Sequence, residues 1–185
     1  RAAALDAALS RARSCGHDAP DVATALRRER SAAALILALG DLAGEYPLER
    51  VVEELSDLAD ETLERALKAA FAARMPDAEP QGFAIIALGK LGSRELNYSS
   101  DVDLLFLFDP ERIPVRPREE PGQAAVRIGQ AICELMQKRD AEGYAFRVDL
   151  RLRPSPEATP IALPVNAAIS YYESSALPWE RAAFI

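Results

Sequence analysis

Cysteine and histidine are scarce in this 185-residue chain, which has two of the first and one of the second. Cys15 and Cys133 are too few to form a disulfide framework. His17 follows Cys15 closely, but no second pair of Cys or His residues completes a tetrahedral metal site. We therefore expect no site of the zinc type. Cys133 lies on an apolar helical stripe and is predicted to pack in the core, which suits a reducing cytoplasm.

Lysine is also rare: it occurs only at positions 68, 90 and 138, so the basic residues are almost all arginine. The net charge is −7 at pH 7, which disfavours a broad nucleic-acid surface. We expect no signal peptide, and no apolar run in the sequence is long enough to span a membrane. We expect a cytoplasmic protein whose partners include neither nucleic acid nor membrane.

The chain divides into a helical first part and a mixed second part. Residues 1 to about 40 predict two helices with a break at Cys15–Pro20, and Asp21 or Thr24 is a candidate cap for the second. Apolar residues at helical spacing predict a long helix over Pro47–Arg74. We expect residues 1–75 to form a helical lead packed on a catalytic core at 80–185. The start at Arg1 without methionine and the helical pattern at Phe184–Ile185 indicate a fragment truncated at both ends.

In the second part, apolar runs alternate with turn signals, which predicts an α+β fold. The predicted elements are strands at Phe83–Leu88, Leu104–Phe108 and Ala145–Arg153, a helix at about 123–138, a loop at Pro154–Pro164, a helix capped by Asn166, and a last helix from Pro178.

The first two strands flank a polar motif at residues 89–103. Side chains alternate along a strand, so Asp101 and Asp103 project from one face. Two adjacent carboxylates repel each other, and an oxygen-liganded Mg²⁺ or Mn²⁺ between them relieves the repulsion. Upstream, Gly92 and Ser93 offer backbone N–H groups, a hydroxyl and a helix N-terminus, all of which suit a phosphate. A phosphate site followed along the chain by metal-binding carboxylates is the order expected of a nucleotidyl-transfer site.

The third strand carries Asp149 among arginines on one face, with Arg151 and Arg153 following it. This pattern allows two interpretations. It describes either an exposed strand edge with local ion pairs, or a third metal carboxylate whose arginines lie near phosphates or neighbouring carboxylates.

Three blocks resemble one known family. The motif Gly-Lys-Leu-Gly-Ser-Arg-Glu-Leu-Asn-Tyr-Ser-Ser-Asp-Val-Asp-Leu at 89–104 is similar to the signature of the bifunctional glutamine synthetase adenylyltransferase/adenylyl-removing enzymes. The segments 146–154 and 171–182 match further blocks of that family in the same order, and the resemblance covers about Leu39 to Ile185. The family belongs to the polymerase-β-like nucleotidyltransferase superfamily, so the resemblance implies that fold.

The resemblance also implies roles for individual residues. Asp101, Asp103 and Asp149 would bind two Mg²⁺ or Mn²⁺ ions, and Gly92 and Ser93 would hold a phosphate. Weaker candidates for phosphate or nucleotide contacts are Lys90, Arg94, Arg151 and Arg153. Alternatively, Arg94 or Glu95 fixes the motif loop by salt bridges.

Members of this family carry two related domains. One attaches AMP from ATP to a tyrosine of glutamine synthetase, and the other removes it by phosphorolysis, giving ADP. The Asn-Tyr-Ser-Ser at 97–100 and the Pro-Trp-Glu-Arg at 178–181 look like the removing domain. Expected partners are glutamine synthetase, ATP or ADP, phosphate and a PII-type nitrogen-signalling protein.

Three other functions stay open. The chain could be the adenylylating half, or a nucleotidyltransferase acting on a small molecule or an RNA end. It could also be a regulatory module that binds nucleotide without turnover, although the intact aspartates argue against that interpretation.

Overall fold

The computed structural model describes residues 1–183. Its helices are α1 (Ala2–Ala12), α2 (Val22–Leu42), α3 (Leu48–Arg74), α4 (Gly89–Gly92), α5 (Pro121–Gln137), α6 (Val165–Ser174) and α7 (Pro178–Ala182). Its strands are β1 (Phe83–Leu88), β2 (Val102–Phe108), β3 (Val148–Asp149) and β4 (Ala162–Pro164). The α+β class predicted from the sequence is confirmed.

The three helices predicted before residue 75 are present as α1, α2 and α3. The backbone N–H of Thr24 donates to the Asp21 carboxylate at 2.8 Å, so Asp21 is the cap of α2. This bond satisfies one of the free amides at the start of the helix. The long helix α3 follows Pro47, whose fixed φ suits a helix start.

Strand β2 is the centre of a four-stranded sheet. Strand β1 pairs with it antiparallel along its whole length, from Leu88 opposite Asp103 to Phe83 opposite Phe108. Strands β3 and β4 both pair with β2 in parallel. Since β1 occupies one edge of β2, β3 and β4 lie one after the other along its second edge.

The two faces of β2 have different surroundings. Val102, Leu104, Phe106 and Phe108 are buried in the main core, which continues without a break into α1, α2, α3 and α5. The alternating positions face a much smaller cluster built on Leu88, Leu105 and Leu163. Asp103 belongs to this second face, because neighbouring side chains alternate along a strand.

The predicted strand at Ala145–Arg153 is wrong for most of its length, since only Val148 and Asp149 pair as β3. The backbone amides of Ala145 and Phe146 donate to the carbonyl oxygen of Met136 and so close the end of α5. After β3, the Arg151 amide donates to the Asp149 side chain and turns the chain out of the sheet. Apolar and polar residues therefore alternate in this segment although most of it is not part of a β-strand.

Two smaller predictions also need correction. The sequence predicts loop throughout Pro154–Pro164, but Ala162–Pro164 forms β4, whose strand signal is masked by Pro160 before it and Pro164 at its end. The next helix begins at Val165 without a side-chain cap, so Asn166 does not cap it. The helix predicted at Phe184–Ile185 lies outside the described residues. Over residues 1–183, no helix is long and apolar enough to cross a membrane.

Candidate functional site

The sheet register brings two of the three candidate carboxylates together. Asp103 and Asp149 are direct partners in the parallel pairing of β2 and β3, so their side chains leave the sheet on the same face. Leu88, opposite Asp103 on β1, is fully buried and lies beside Asp103 on the same face of the sheet. The site therefore lies where the three strands meet, at the start of β2.

Asp101 lies one residue before β2 and is held by an arginine. The Arg147 Nε donates to the Asp101 carboxylate, while its Nη2 donates to the carbonyl oxygen of Ser99 at 2.6 Å. The Val102 amide donates to the carbonyl oxygen of Arg147 at 2.9 Å. These contacts fix the end of the motif loop to the start of β3.

The carboxylates of the site differ in their electrostatics. Burial first, and then the charges of Asp149 and Asp101, raise the pKa of Asp103 above its ordinary value. The pKa of Asp149 is lowered instead, chiefly by the hydrogen bond from the Arg151 side chain. Of these two carboxylates, Asp103 is thus the one whose anion gains more from a nearby cation.

Glycine is required at the entrance of the motif. Gly89 has φ of +54°, and a Cβ there would lie 3.0 Å from the Asp103 carboxylate. A Cβ at Gly92 would come within 2.8 Å of the Ala87 carbonyl oxygen. The absence of a side chain at Gly89 leaves room for the Asp103 carboxylate, and its absence at Gly92 lets the turn pass close to the Ala87 carbonyl.

The turn itself differs from the prediction in one respect. Gly92 and Ser93 were expected at a helix N-terminus, but they lie at the C-terminal end of the one-turn helix α4. The Ser93 hydroxyl donates to the Gly89 carbonyl oxygen at 3.1 Å. A helix dipole therefore does not assist anion binding at these two residues.

The four basic candidates are distributed unequally around the site. Lys90 is exposed and close enough to Asp103 to oppose the rise in its pKa. Arg151 pairs with Asp149, and its side chain is 83% exposed. Arg94 turns away to Asp57 and Asp60 of α3, which confirms the alternative that it fixes the loop by salt bridges.

Arg153 lies away from the carboxylates. Its guanidinium donates to the carbonyl oxygens of Leu150 and Pro156, at 2.7 and 2.6 Å. These bonds hold the loop between β3 and β4 in its own shape. The contacts of Arg153 thus give no support to a role in phosphate binding.

Sequence reasoning missed the residues of the helical lead that reach the motif loop. The Leu96 amide donates to the buried hydroxyl of Ser56 at 3.3 Å. The Tyr98 hydroxyl contacts Asp41, and the Tyr98 carbonyl oxygen accepts from Arg30. No local pattern in α2 or α3 marks these residues, because their roles depend on tertiary packing.

The carboxylate chemistry suits a divalent cation, although the geometry is not that of a closed cage. Among the residues that the structure describes, no group of three or more His, Cys, Asp or Glu side chains lies close enough to hold a metal ion. Asp101 and Asp149 are directed toward Arg147 and Arg151. The donor chemistry still fits Mg²⁺, because Asp149 and Asp101 lie close enough to Asp103 for their charges to raise its pKa, and a cation would relieve that repulsion.

Fold and site together define an α+β domain with carboxylates gathered at the start of its central strand. Comparison with known families makes this more specific. The family model described as glutamate-ammonia ligase adenylyltransferase matches residues 1–185. The chain belongs to that family.

Curated relatives carry the description bifunctional glutamine synthetase adenylyltransferase/adenylyl-removing enzyme. The protein of Xanthobacter autotrophicus is 46% identical over 176 residues, which cover 89% of this chain and 18% of the relative. That of Bradyrhizobium diazoefficiens is 42% identical over 195 residues, covering 98% of this chain and 20% of the relative. The chain thus spans about a fifth of the length of these relatives.

Proposed function

We propose that this chain is a polymerase-β-like nucleotidyltransferase domain that removes AMP from an adenylylated tyrosine of glutamine synthetase. The observation that carries the proposal is the pairing of Asp103 with Asp149 beside Asp101, next to the open turn at Gly89. Membership of the family supports the substrate, since the relatives' descriptions name glutamine synthetase.

In this proposal Asp101, Asp103 and Asp149 hold Mg²⁺ or Mn²⁺. Bound metal would supply charge for the phosphoryl group and lower the pKa of an attacking oxygen. Binding requires Asp101 and Asp149 to exchange a guanidinium partner for the cation. Arg147 and Arg151 are then free to face the phosphate oxygens, for which planar guanidinium groups are well suited.

Phosphate would enter beside the motif turn. Lys90 and Gly92 are both exposed there. We assign the phosphate contacts to Gly92, Ser93, Lys90 and Arg151. Arg94 and Arg153 act on the loops that surround them, since their contacts lie there.

The proposed reaction is phosphorolysis. An orthophosphate oxygen attacks the phosphorus of the tyrosine-linked AMP, and the bond from phosphorus to the tyrosine oxygen breaks. The phenolate leaves and takes a proton, so the products are ADP and unmodified tyrosine. The protein contributes mainly position and charge to such a step.

The direction rests on the residues at 97–100 and 178–181, which resemble the removing half of the family. The adenylylating half is the second candidate, because the same carboxylates can serve either direction. We place the protein in the cytoplasm, with a PII-type signalling protein as its regulator.

The test uses the chain with adenylylated glutamine synthetase, Mg²⁺ and orthophosphate, and follows ADP release. We expect phosphate-dependent ADP from the wild type and none from the Asp101→Asn/Asp103→Asn variant. The matched control is Asp109→Asn, which changes a carboxylate at the opposite end of β2 whose contact is the local Glu111 amide. The control should keep full activity.

Other outcomes point to the other candidates. Pyrophosphate released from ATP with unmodified glutamine synthetase would assign the chain to adenylylation. A folded chain that gives neither product, and that binds nucleotide equally well after Asp101→Asn and without metal, would be a binding module.

A further inference from the structure

The segment 98–101, directly before β2, is held by two guanidinium groups from different parts of the chain. Arg147 directly precedes β3 and contacts Ser99 and Asp101. The second group belongs to Arg30, in the middle of α2. Its Nη2 donates to the Tyr98 carbonyl oxygen at 3.1 Å. Arg30 is therefore the residue of the helical lead that contacts the backbone nearest to the candidate metal carboxylates.

Arg30 also supports the surroundings of Arg147. Its guanidinium carbon lies 5.8 Å from the centre of the Tyr144 ring and 5.7 Å from that of Phe146. Contacts at this distance between a guanidinium and an aromatic ring are attractive. The Tyr144 hydroxyl in turn accepts from Arg147 Nη1 at 3.3 Å. One aromatic side chain thus connects the two arginines.

The position of the Arg30 guanidinium is energetically unfavourable for a cation. Arg30 is half-buried, and burial is the largest cause that lowers its pKa. Within residues 1–183, its electrostatic neighbours are Tyr144 and Arg147, and no carboxylate contributes. A buried charge without a carboxylate is unfavourable for stability, and an apolar residue often serves a purely structural position better.

We propose that Arg30 is a positioning residue that sets the approach of Asp101 to the metal, by fixing the Tyr98 carbonyl and the Tyr144 ring. This inference rests on the proposed metal-dependent function of the same site. It also gives the helical lead a role in that site. Helix α2 contacts Tyr98 twice: Arg30 donates to the Tyr98 carbonyl oxygen, and Asp41 contacts the Tyr98 hydroxyl group.

The experiment compares Arg30→Met with Arg28→Met in the whole chain. Arg28 lies on the same helix and pairs with Glu142 at the surface, so it controls for the loss of one arginine from α2. Mn²⁺ binding is measured by electron paramagnetic resonance, and amide exchange of residues 96–102 by mass spectrometry. Thermal unfolding checks that each variant is folded.

We expect Arg30→Met to weaken Mn²⁺ binding by about tenfold, as is common when a group supporting a metal ligand is removed. Exchange at residues 96–102 should become faster in the same variant. Arg28→Met should change neither quantity. Arg30→Lys should restore most of the affinity, because an ammonium group can also donate to the Tyr98 carbonyl. If Arg30→Met does not fold, Tyr144→Leu removes the ring beneath Arg30 and should show the same two effects.

The outcomes separate this inference from the proposed function. Wild-type Mn²⁺ affinity in a folded Arg30→Met variant would overturn the positioning role and leave the proposed function intact. Absence of Mn²⁺ binding in the wild type would overturn the proposed function and the metal-directed role of Arg30 together.

Discussion

The two faces of the seven-residue strand β2 have different roles: one contributes mainly to stability, and the other carries a carboxylate of the candidate site. On one face, Val102, Leu104, Phe106 and Phe108 are buried in a core shared with four helices. On the other, Asp103 occupies a half-buried position beside the much smaller cluster built on Leu88, Leu105 and Leu163. A charge can be kept at the edge of a small cluster at moderate desolvation cost, whereas the main core would exclude it. The buried face of β2 therefore fixes the position of the strand, and with it the position of Asp103 on the opposite face.

Phe106→Ala should have the largest effect, on the buried face. Its ring is inaccessible to solvent and lies 5.6 Å from the Phe83 ring, between centres. Truncation should lower the free energy of unfolding by about 3–5 kcal/mol. Urea denaturation measures this loss. A decrease below about 1 kcal/mol would mean that the face is not the main source of stability.

Asp103→Asn should reduce activity without reducing stability, in contrast to Phe106→Ala. We expect activity to fall by about 10²- to 10³-fold, the usual loss when one preorganised electrostatic group is removed. Unfolding free energy should stay constant or rise, because the substitution removes an anion that burial and like charges disfavour. Steady-state ADP release and urea denaturation on the same sample test both parts. Large destabilisation would contradict the division between the faces.

Leu104→Ala and Leu107→Ala compare the same residue type on the two faces. Leu104 is fully buried, and its loss should cost about 2–5 kcal/mol. Leu107 is half-buried on the second face, so its loss should cost about 1 kcal/mol. The difference between the two unfolding free energies is the measurement. Equal losses would show that both faces contribute equally to stability.

The smallest expected effect concerns pH in the metal-free chain. The pKa of Asp103 is raised, so its ionisation removes stability as pH rises from the unfolded-state pKa through the folded one. The pKa of Asp149 is lowered, so its contribution is present above the unfolded-state pKa and is lost as pH falls through the folded one. Carboxyl-detected NMR titration should therefore find Asp103 protonated at a higher pH than Asp149. The reverse order would contradict the assigned electrostatics.

Local patterns predicted the elements with strong periodicity and the residues within one motif. The bounds of β1, the long helix α3 and the Asp21 cap all follow from short-range signals. Strands β3 and β4 were not predicted correctly, because segments of two or three residues carry too little periodic signal. These short segments are extended because they pair with β2. Arg30 and Ser56 were missed for a similar reason, since their partners lie 68 and 40 positions away.

The separation of site residues along the chain has a consequence for folding kinetics. The contact between Arg147 and Asp101 joins residues 46 positions apart, whereas β1 and β2 are connected by the motif loop alone. Closing a longer loop costs more chain entropy, so the β1–β2 hairpin should form before β3 docks. In a nascent chain the hairpin would then form first, and the pairing of Asp103 with Asp149 that assembles the candidate site would form only after β3 has been synthesised and docked.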